Sequence, residues 1–285
     1  MGSLMRASEV AEAIRVLETE LPRDIECTLR EVAGKEEGLA AEVLGMILAN
    51  VDCAREGLVP MCQDTGSLIF FLSSGRCSPV HRDAIEGGIR MATDSVPLRA
   101  NTVQPFTREN EGNNLGRGNP IIHFEHDPSL GEDIVLGIMA KGAGSENVGR
   151  GYMLEPDLGL PGIRDAVLET VSKAGGKPCP PIILGVGIGG TAEVAYLLSK
   201  KALMRRLDAA TDDPQADALE RDLMKSVNEL GIGPMGLGGR HTALGVRVEW
   251  AHCHTASLPV AVSIGCWALR RVTAEWRGEA FRVVR

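Results

Sequence analysis

Three cysteines stand in settings that suit chemistry. Cys62 opens the run Cys62-Gln63-Asp64-Thr65-Gly66, Cys179 lies in Pro178-Cys179-Pro180-Pro181, and Cys266 lies in Gly265-Cys266-Trp267. In the first run a thiol, an amide and a carboxylate are side by side. The chain then turns at Gly66 and enters the apolar stretch Leu68 to Leu72, which reads as a buried strand. A strand end fixes such groups while the adjoining loop exposes them. The three cysteines show no C-x-x-C clustering, so spacing leaves two readings open. One is three unrelated core thiols. The other is three thiolates on one inorganic centre, for which their turn-forming neighbours are the argument, since loops converge where helix interiors do not.

Other motifs carry weaker signals. Gly142, Ala143 and Gly144 follow a predicted strand, and their backbone N–H groups suit a carboxylate; a plain glycine turn weighs equally. Gly185-Val186-Gly187-Ile188-Gly189-Gly190 has the G-x-G-x-x-G spacing. A dinucleotide site would also need a second parallel strand soon afterwards that ends near an acidic residue, and this part of the chain does not read that way. The run is therefore expected to be a tight strand-to-helix turn whose N–H groups face an anion or a cluster sulfide. His252-Cys253-His254 reads as the end of a strand with both imidazoles on one face, too few ligands for a closed zinc site. His123 and His126 read as ordinary strand residues.

The elements that must position these groups are mixed. Ser8 to Leu21 has Val10, Ile14, Leu17 and Leu21 at helical spacing, with Ser8 the expected N-cap and Pro22 the stop. Helices are also expected over 24–31 and 39–54, with Cys27 and Cys53 as small core residues. Further helices are expected over 82–95, 160–174, 191–206 and 216–230. Strands are expected over 120–126 and 134–140, joined by a turn around Asp127-Pro128, and then over 181–186, 246–254 and 260–264. Residues 110–119, rich in Gly and Asn, read as the least structured part, and a basic tail is expected from Trp267. The helices and strands intermix without strict alternation. The predicted class is mixed α/β (α+β), with a helical N-terminal lead-in over about 5–56 followed by mixed sheets covered by helices, in one domain over 1–285.

Composition removes several functions. The 285 residues are 44% hydrophobic and 24% charged, as in an ordinary globular protein, and the net charge of −8 argues against nucleic acid or an anionic membrane as partner. Aromatic residues are only 4%, too few for base-stacking platforms. Seven cysteines, an odd number, with no secretory leader in view, point to a reducing cytoplasmic setting rather than a disulfide framework. Met1 to Leu4 read as an added leader before a native start at Met5.

Taken together, Pro60 to Gly66, Lys141 to Asn147, Pro178 to Pro181, Gly185 to Ala192, Gly233 to Gly239 and His254 to Trp267 give the chain its likeness to a known family. It resembles the class I iron–sulfur fumarate hydratases and the related L(+)-tartrate dehydratases, specifically their alpha subunit or N-terminal domain. The resemblance implies that Cys62, Cys179 and Cys266 ligate a [4Fe-4S] cluster with one open iron. It implies that Gln63, Asp64, Arg99 and the backbone at Ala143 bind a dicarboxylate, and that Asp64 and His254 are catalytic. Glycine is expected at Ala143 in many relatives, a departure of little weight if the contact is through the main chain. The implied activity is fumarate hydration in the tricarboxylic acid cycle. The alternatives are dehydration of L(+)-tartrate or another 2-hydroxy diacid, and a non-catalytic interaction subunit. The implied partner is a beta subunit in an αβ or (αβ)2 assembly, which would supply the carbon base.

Overall fold

The computed structural model describes residues 5–75 and 79–284. The added leader read at Met1 to Leu4 lies outside those residues. The chain divides into two compact units, one comprising Met1–Pro22, Asn50–Gly142 and Ala268–Arg285, the other Arg23–Ala49 and Ala143–Trp267.

The first unit holds α1 (Ala7–Thr19), the second part of α3 (Gly38–Gly57), β1 (Ser67–Ser74), α4 (Pro79–Ser95), β2 (Ile121–His126), β3 (Ile134–Lys141), β8 (Arg270–Arg277) and β9 (Ala280–Val284). Its five-stranded sheet has the order β2-β1-β3-β8-β9. β1 runs parallel to β2, and the other neighbours are antiparallel. Alternation along β1 sends Phe70 and Leu72 into a core shared with Ile14 and Leu17 of α1 and Ile85 and Ile89 of α4. The first helix starts one residue before Ser8. Arg6 occupies the cap position, and its backbone N–H donates to Glu9 at 3.0 Å, so Ser8 is not the cap. β2 and β3 are joined as expected through Asp127-Pro128, but they do not pair, because β1 lies between them. The basic tail is also corrected: residues 270–284 are two strands, with Arg270 and Arg271 buried.

The second unit holds α2 (Arg23–Ala33), the first part of α3, α5 (Ala143–Glu146), β4 (Arg150–Leu154), α6 (Gly159–Ala174), β5 (Ile182–Gly189), α7 (Ala192–Met204), α8 (Pro214–Asn228), β6 (Ala243–Ala251) and β7 (Leu258–Gly265). Its four-stranded sheet has the order β4-β7-β5-β6, with only β5 and β6 parallel. Ile182, Leu184 and Val186 point to a core built with α6 and α8. Gly185 and Gly187, on the opposite face, let α7 lie directly on the strand. A Cβ there would sit 2.1 Å from the Ser199 oxygen and 2.0 Å from the Ala195 oxygen. That close approach accounts for the glycine spacing. The N–H of Gly190 donates to the His252 carbonyl at 3.2 Å and so is already used. Cys27 and Cys53 are exposed, not core residues.

The described residues form a mixed α/β (α+β) fold with helices at the N-terminus and mixed sheets after them.

Candidate active site

In the first unit the Met61–Gly66 loop joins α3 to β1. Leu58 leaves the helix with φ 50°, and Gly66 turns the chain with φ 75°. A Cβ at Gly66 would lie 2.9 Å from the Lys141 backbone, so glycine is required on both counts. Main-chain groups of the loop are held from outside it. Met61 N–H donates to the Glu18 carbonyl at 2.9 Å, and Asn50 Nδ2 donates to the Met61 carbonyl at 3.0 Å. Arg270 Nη2 donates to the Asp64 carbonyl at 2.7 Å. The Asp64 carboxylate accepts the Gly66 N–H at 2.9 Å, a local turn that fixes its side chain. Cys62 is half-buried and Gln63 is exposed.

Arg99 comes to this loop through Thr65. The Thr65 hydroxyl accepts from Arg99 N–H and from Asn101 Nδ2, both at 3.2 Å, and Asn101 Nδ2 also reaches the Gly66 carbonyl at 3.2 Å. The backbone of Arg99 is thereby tied one residue away from Asp64. Its side chain is exposed, and among the described residues its guanidinium forms no ion pair. Residues 110–119 contain no helix or strand, yet they are tied in place: the side chain of Asn114 accepts the Asn101 N–H at 2.7 Å.

Behind the loop lies a buried ion pair. Glu18 and Arg270 have side chains 0% and 2% exposed, and Arg270 Nη1 donates to Glu18 Oε2. Burial pushes the Glu18 carboxyl up to about 7, against the opposing charge of Arg270.

In the second unit Cys179 sits in the turn between α6 and β5. Its φ of 54° is a left-handed backbone, uncommon for a residue with a Cβ. Main-chain bonds enclose it: Cys179 N–H donates to Gly176 at 3.1 Å, Trp267 N–H donates to the Cys179 carbonyl at 3.3 Å, and Met235 N–H donates to the Pro180 carbonyl at 2.7 Å. Sheet register explains why Cys266 is close in the fold to a residue so distant in sequence. Gly265, the last residue of β7, pairs with Ile183 of β5. Cys179 and Cys266 are half-buried. The 231–242 loop that supplies Met235 is anchored by Glu36. Its Oε1 accepts Arg240 N–H and His241 N–H at 2.8 Å and lies 2.7 Å from His241 Nδ1.

His254 lies in the loop after β6, exposed; the strand expected over 246–254 spans 243–251. Its Nδ1 accepts the Ala256 N–H at 3.1 Å, which leaves the proton of the neutral ring on Nε2. Ala143 is exposed at the start of the four-residue α5. Among the described residues no three His, Cys, Asp or Glu side chains are placed to hold a single metal ion. Among the described residues no helix is long and apolar enough to cross a membrane.

Sequence reasoning did not pick out Glu18, Arg270, Thr65, Asn101 or Glu36. One signal was present. Glu18 follows Leu17 and falls four residues after Ile14, so it is a carboxylate on the apolar face of its helix.

Comparison with known proteins adds the lineage. The family model described as Fumarate hydratase (Fumerase) matches residues 7–275. A provisionally named L(+)-tartrate dehydratase subunit alpha of Methanocaldococcus jannaschii is 47% identical over 274 residues, covering 94% of this chain and 96% of that protein. An L(+)-tartrate dehydratase subunit alpha of Escherichia coli is 34% identical over 268 residues, covering 93% of this chain and 88% of that one. With a match that spans nearly its whole length, the chain belongs to the fumarate hydratase (Fumerase) family of hydro-lyases.

Proposed function

We propose that this chain is the alpha subunit of an iron–sulfur hydro-lyase that acts on a 2-hydroxy dicarboxylate, with L(+)-tartrate as the first candidate substrate and fumarate/malate as the second. The relatives' names favour tartrate over the fumarate expected from the motifs, because both are tartrate dehydratase alpha subunits. The family description keeps fumarate in play.

The observation that carries the reading is the setting of three thiols. Cys62, Cys179 and Cys266 are each half-buried and each lies in a loop at a strand end. That donor set fits the cofactor: soft, reachable sulfur ligands held by rigid elements suit an iron–sulfur cluster, and three rather than four leave one iron without a protein ligand. When bound, such a cluster supplies Lewis-acid chemistry at its open iron.

The chain's own residues supply recognition and proton handling. Arg99 offers a planar fork of donors for a carboxylate. Gln63 offers an amide, and the main chain at Ala143 offers an N–H. Asp64, its carboxylate oriented by Gly66 N–H, and His254, with its proton on Nε2, orient the substrate hydroxyl and move its proton. Positioned acid–base groups supply roughly 3–5 kcal/mol of the ~8 kcal/mol or more an enzyme of this kind needs. The rest falls to charge stabilisation. The carbon base is assigned to a beta subunit, in keeping with the alpha-subunit names of the relatives, and the setting to the reducing cytoplasm.

The test is anaerobic co-expression with the cognate beta subunit. The expected complex is brown, contains iron and sulfide, and dehydrates L(+)-tartrate faster than it hydrates fumarate. Faster fumarate turnover would reassign the substrate. An iron-free, colourless complex that is unaffected by Cys62→Ser would leave a non-catalytic interaction subunit. The chain alone is expected to bind a cluster yet turn over little substrate, and full activity without a partner would refute the shared site.

A further inference from the structure

We infer that Glu18 and Arg270 are positioning residues that set the main chain of the Cys62–Asp64 loop. Glu18 closes the last turn of α1, and Arg270 opens β8. Neither belongs to the group of residues expected to touch substrate or cofactor, and both are fully buried.

Three observations support this role. First, the pair grips both ends of the loop. The Glu18 carbonyl, one of the helix-end acceptors without an intrahelical partner, takes the Met61 N–H at 2.9 Å. Arg270 Nη2 donates to the Asp64 carbonyl at 2.7 Å. Cys62 and Gln63 are the two residues between these anchors. Second, a buried ion pair is an expensive way to fill space, and an apolar pair of the same volume is often at least as stable. What an apolar pair cannot do is donate to a carbonyl. Third, the geometry uses the shape of arginine. One arm of the guanidinium holds Glu18 while the other reaches Asp64, a division of labour that a lysine ammonium cannot reproduce in the same plane. Glu18 Oε1 is buried with no hydrogen-bond partner among the described residues, so the carboxylate is spent on Arg270 and not on solvation. The inference rests on the proposed function only in taking this loop to be one that carries a cluster ligand and substrate contacts.

The decisive experiment is hydrogen exchange on the full chain, read by peptide, for wild type and Arg270→Lys. Lysine keeps the charge opposite Glu18 and removes the second arm. Exchange in peptides spanning residues 59–67 is expected to rise about tenfold, the ratio one such hydrogen bond supplies, with α6 and the β5 strand unchanged. Glu18→Gln, which keeps an acceptor for Arg270, is expected to retain most of the wild-type protection. Unchanged exchange in a folded Arg270→Lys chain would overturn the inference, as would a rise spread evenly over the whole first unit, which is the signature of mere structural support. Should Arg270→Lys fail to fold, the double variant Glu18→Leu/Arg270→Met takes its place. A folded double variant with a fast-exchanging loop supports the inference, and one with wild-type protection refutes it. Iron content, measured anaerobically in the same samples, is expected to fall in the loosened variants. An iron-free wild type would overturn the functional reading while leaving the exchange comparison decisive for positioning.

Discussion

The two units hold their cysteines by opposite means. In the first, the Met61–Gly66 loop has one main-chain anchor, Met61 N–H on the Glu18 carbonyl, and is otherwise gripped by side chains: Arg270 on the Asp64 carbonyl, Asn50 on the Met61 carbonyl, and Thr65 and Asn101 tying in Arg99. In the second, Cys179 is enclosed by main-chain bonds from Gly176, Trp267 and Met235, on a backbone that takes up positive φ at Cys179, Gly233 and Met235. A side-chain grip is sensitive to charge and to single functional groups. A main-chain grip is sensitive to the volume of one carbon atom. The comparison can be attacked at each of its joints.

The largest effect is expected from breaking the charge grip. Glu18→Leu leaves Arg270 buried without its counter-ion and is expected to lower the unfolding free energy by about 3–5 kcal/mol, while Glu18→Leu/Arg270→Met recovers most of that loss. Chemical denaturation of the three chains measures both. Little loss in the single variant would mean that the charges are not the grip.

Next comes the main-chain grip. Gly233 has φ 67°, and a Cβ there would lie 2.0 Å from the carbonyl carbon of Gly238. Gly233→Ala is expected to cost roughly 3 kcal/mol through strain and overlap, measured by thermal unfolding. A tolerated alanine would show that the 231–242 loop yields easily.

A pH contrast separates the two modes further. Glu18 has its carboxyl raised from 4.5 to about 7 by burial. Its folded form holds the proton more tightly than the unfolded chain, so its contribution is fully present below the unfolded value and is lost as the pH rises through about 7. Relative to Glu18→Gln, wild-type stability is therefore expected to fall between those pH values, by on the order of 3 kcal/mol at most. Denaturant titrations at steps across this window decide it. Parallel curves would mean that the carboxyl is ionised throughout.

Smaller effects sharpen the assignment of roles. Cys179→Gly relieves a left-handed backbone and is expected to raise the stability of the cluster-free chain by about 1 kcal/mol while abolishing iron binding. Opposite signs for stability and iron content are the mark of strain held for function. Cys27→Ser and Cys53→Ser change exposed thiols outside both grips. They are expected to shift stability by less than about 0.5 kcal/mol and to leave iron content unchanged.

Much of this was legible in the chain. The apolar period of α1, the continuous run of β1 and the proline and glycine stops located most elements within a few residues, because these signals act locally. The chemistry-bearing stretches were visible as unusual residue types beside chain breakers. The failures share a cause. Residues 270–277 read as a basic tail because arginine is mostly exposed, and only a partner such as Glu18, 252 positions away, makes a buried arginine tolerable. Cys27 and Cys53 read as core because free cysteine is usually buried, but their place on a helix is set by which side the neighbouring elements cover. The G-x-G-x-x-G spacing suggested an anion turn, whereas Gly185 and Gly187 serve the approach of α7 to β5.

By itself, the order of residues determined most of the helices and strands, the glycine-dependent turns and the identity of the thiols, since each depends on torsions and side chains within a few positions. The tertiary structure alone decided that β8 returns to complete the first sheet, that Gly265 pairs with Ile183 and so brings Cys266 to the Cys179 turn, and that Glu18 and Arg270 reach the Cys62–Asp64 loop. Those outcomes depend on strand register and on pairing between buried charges. Both are set by the packing of distant segments, and no local window of sequence contains that packing.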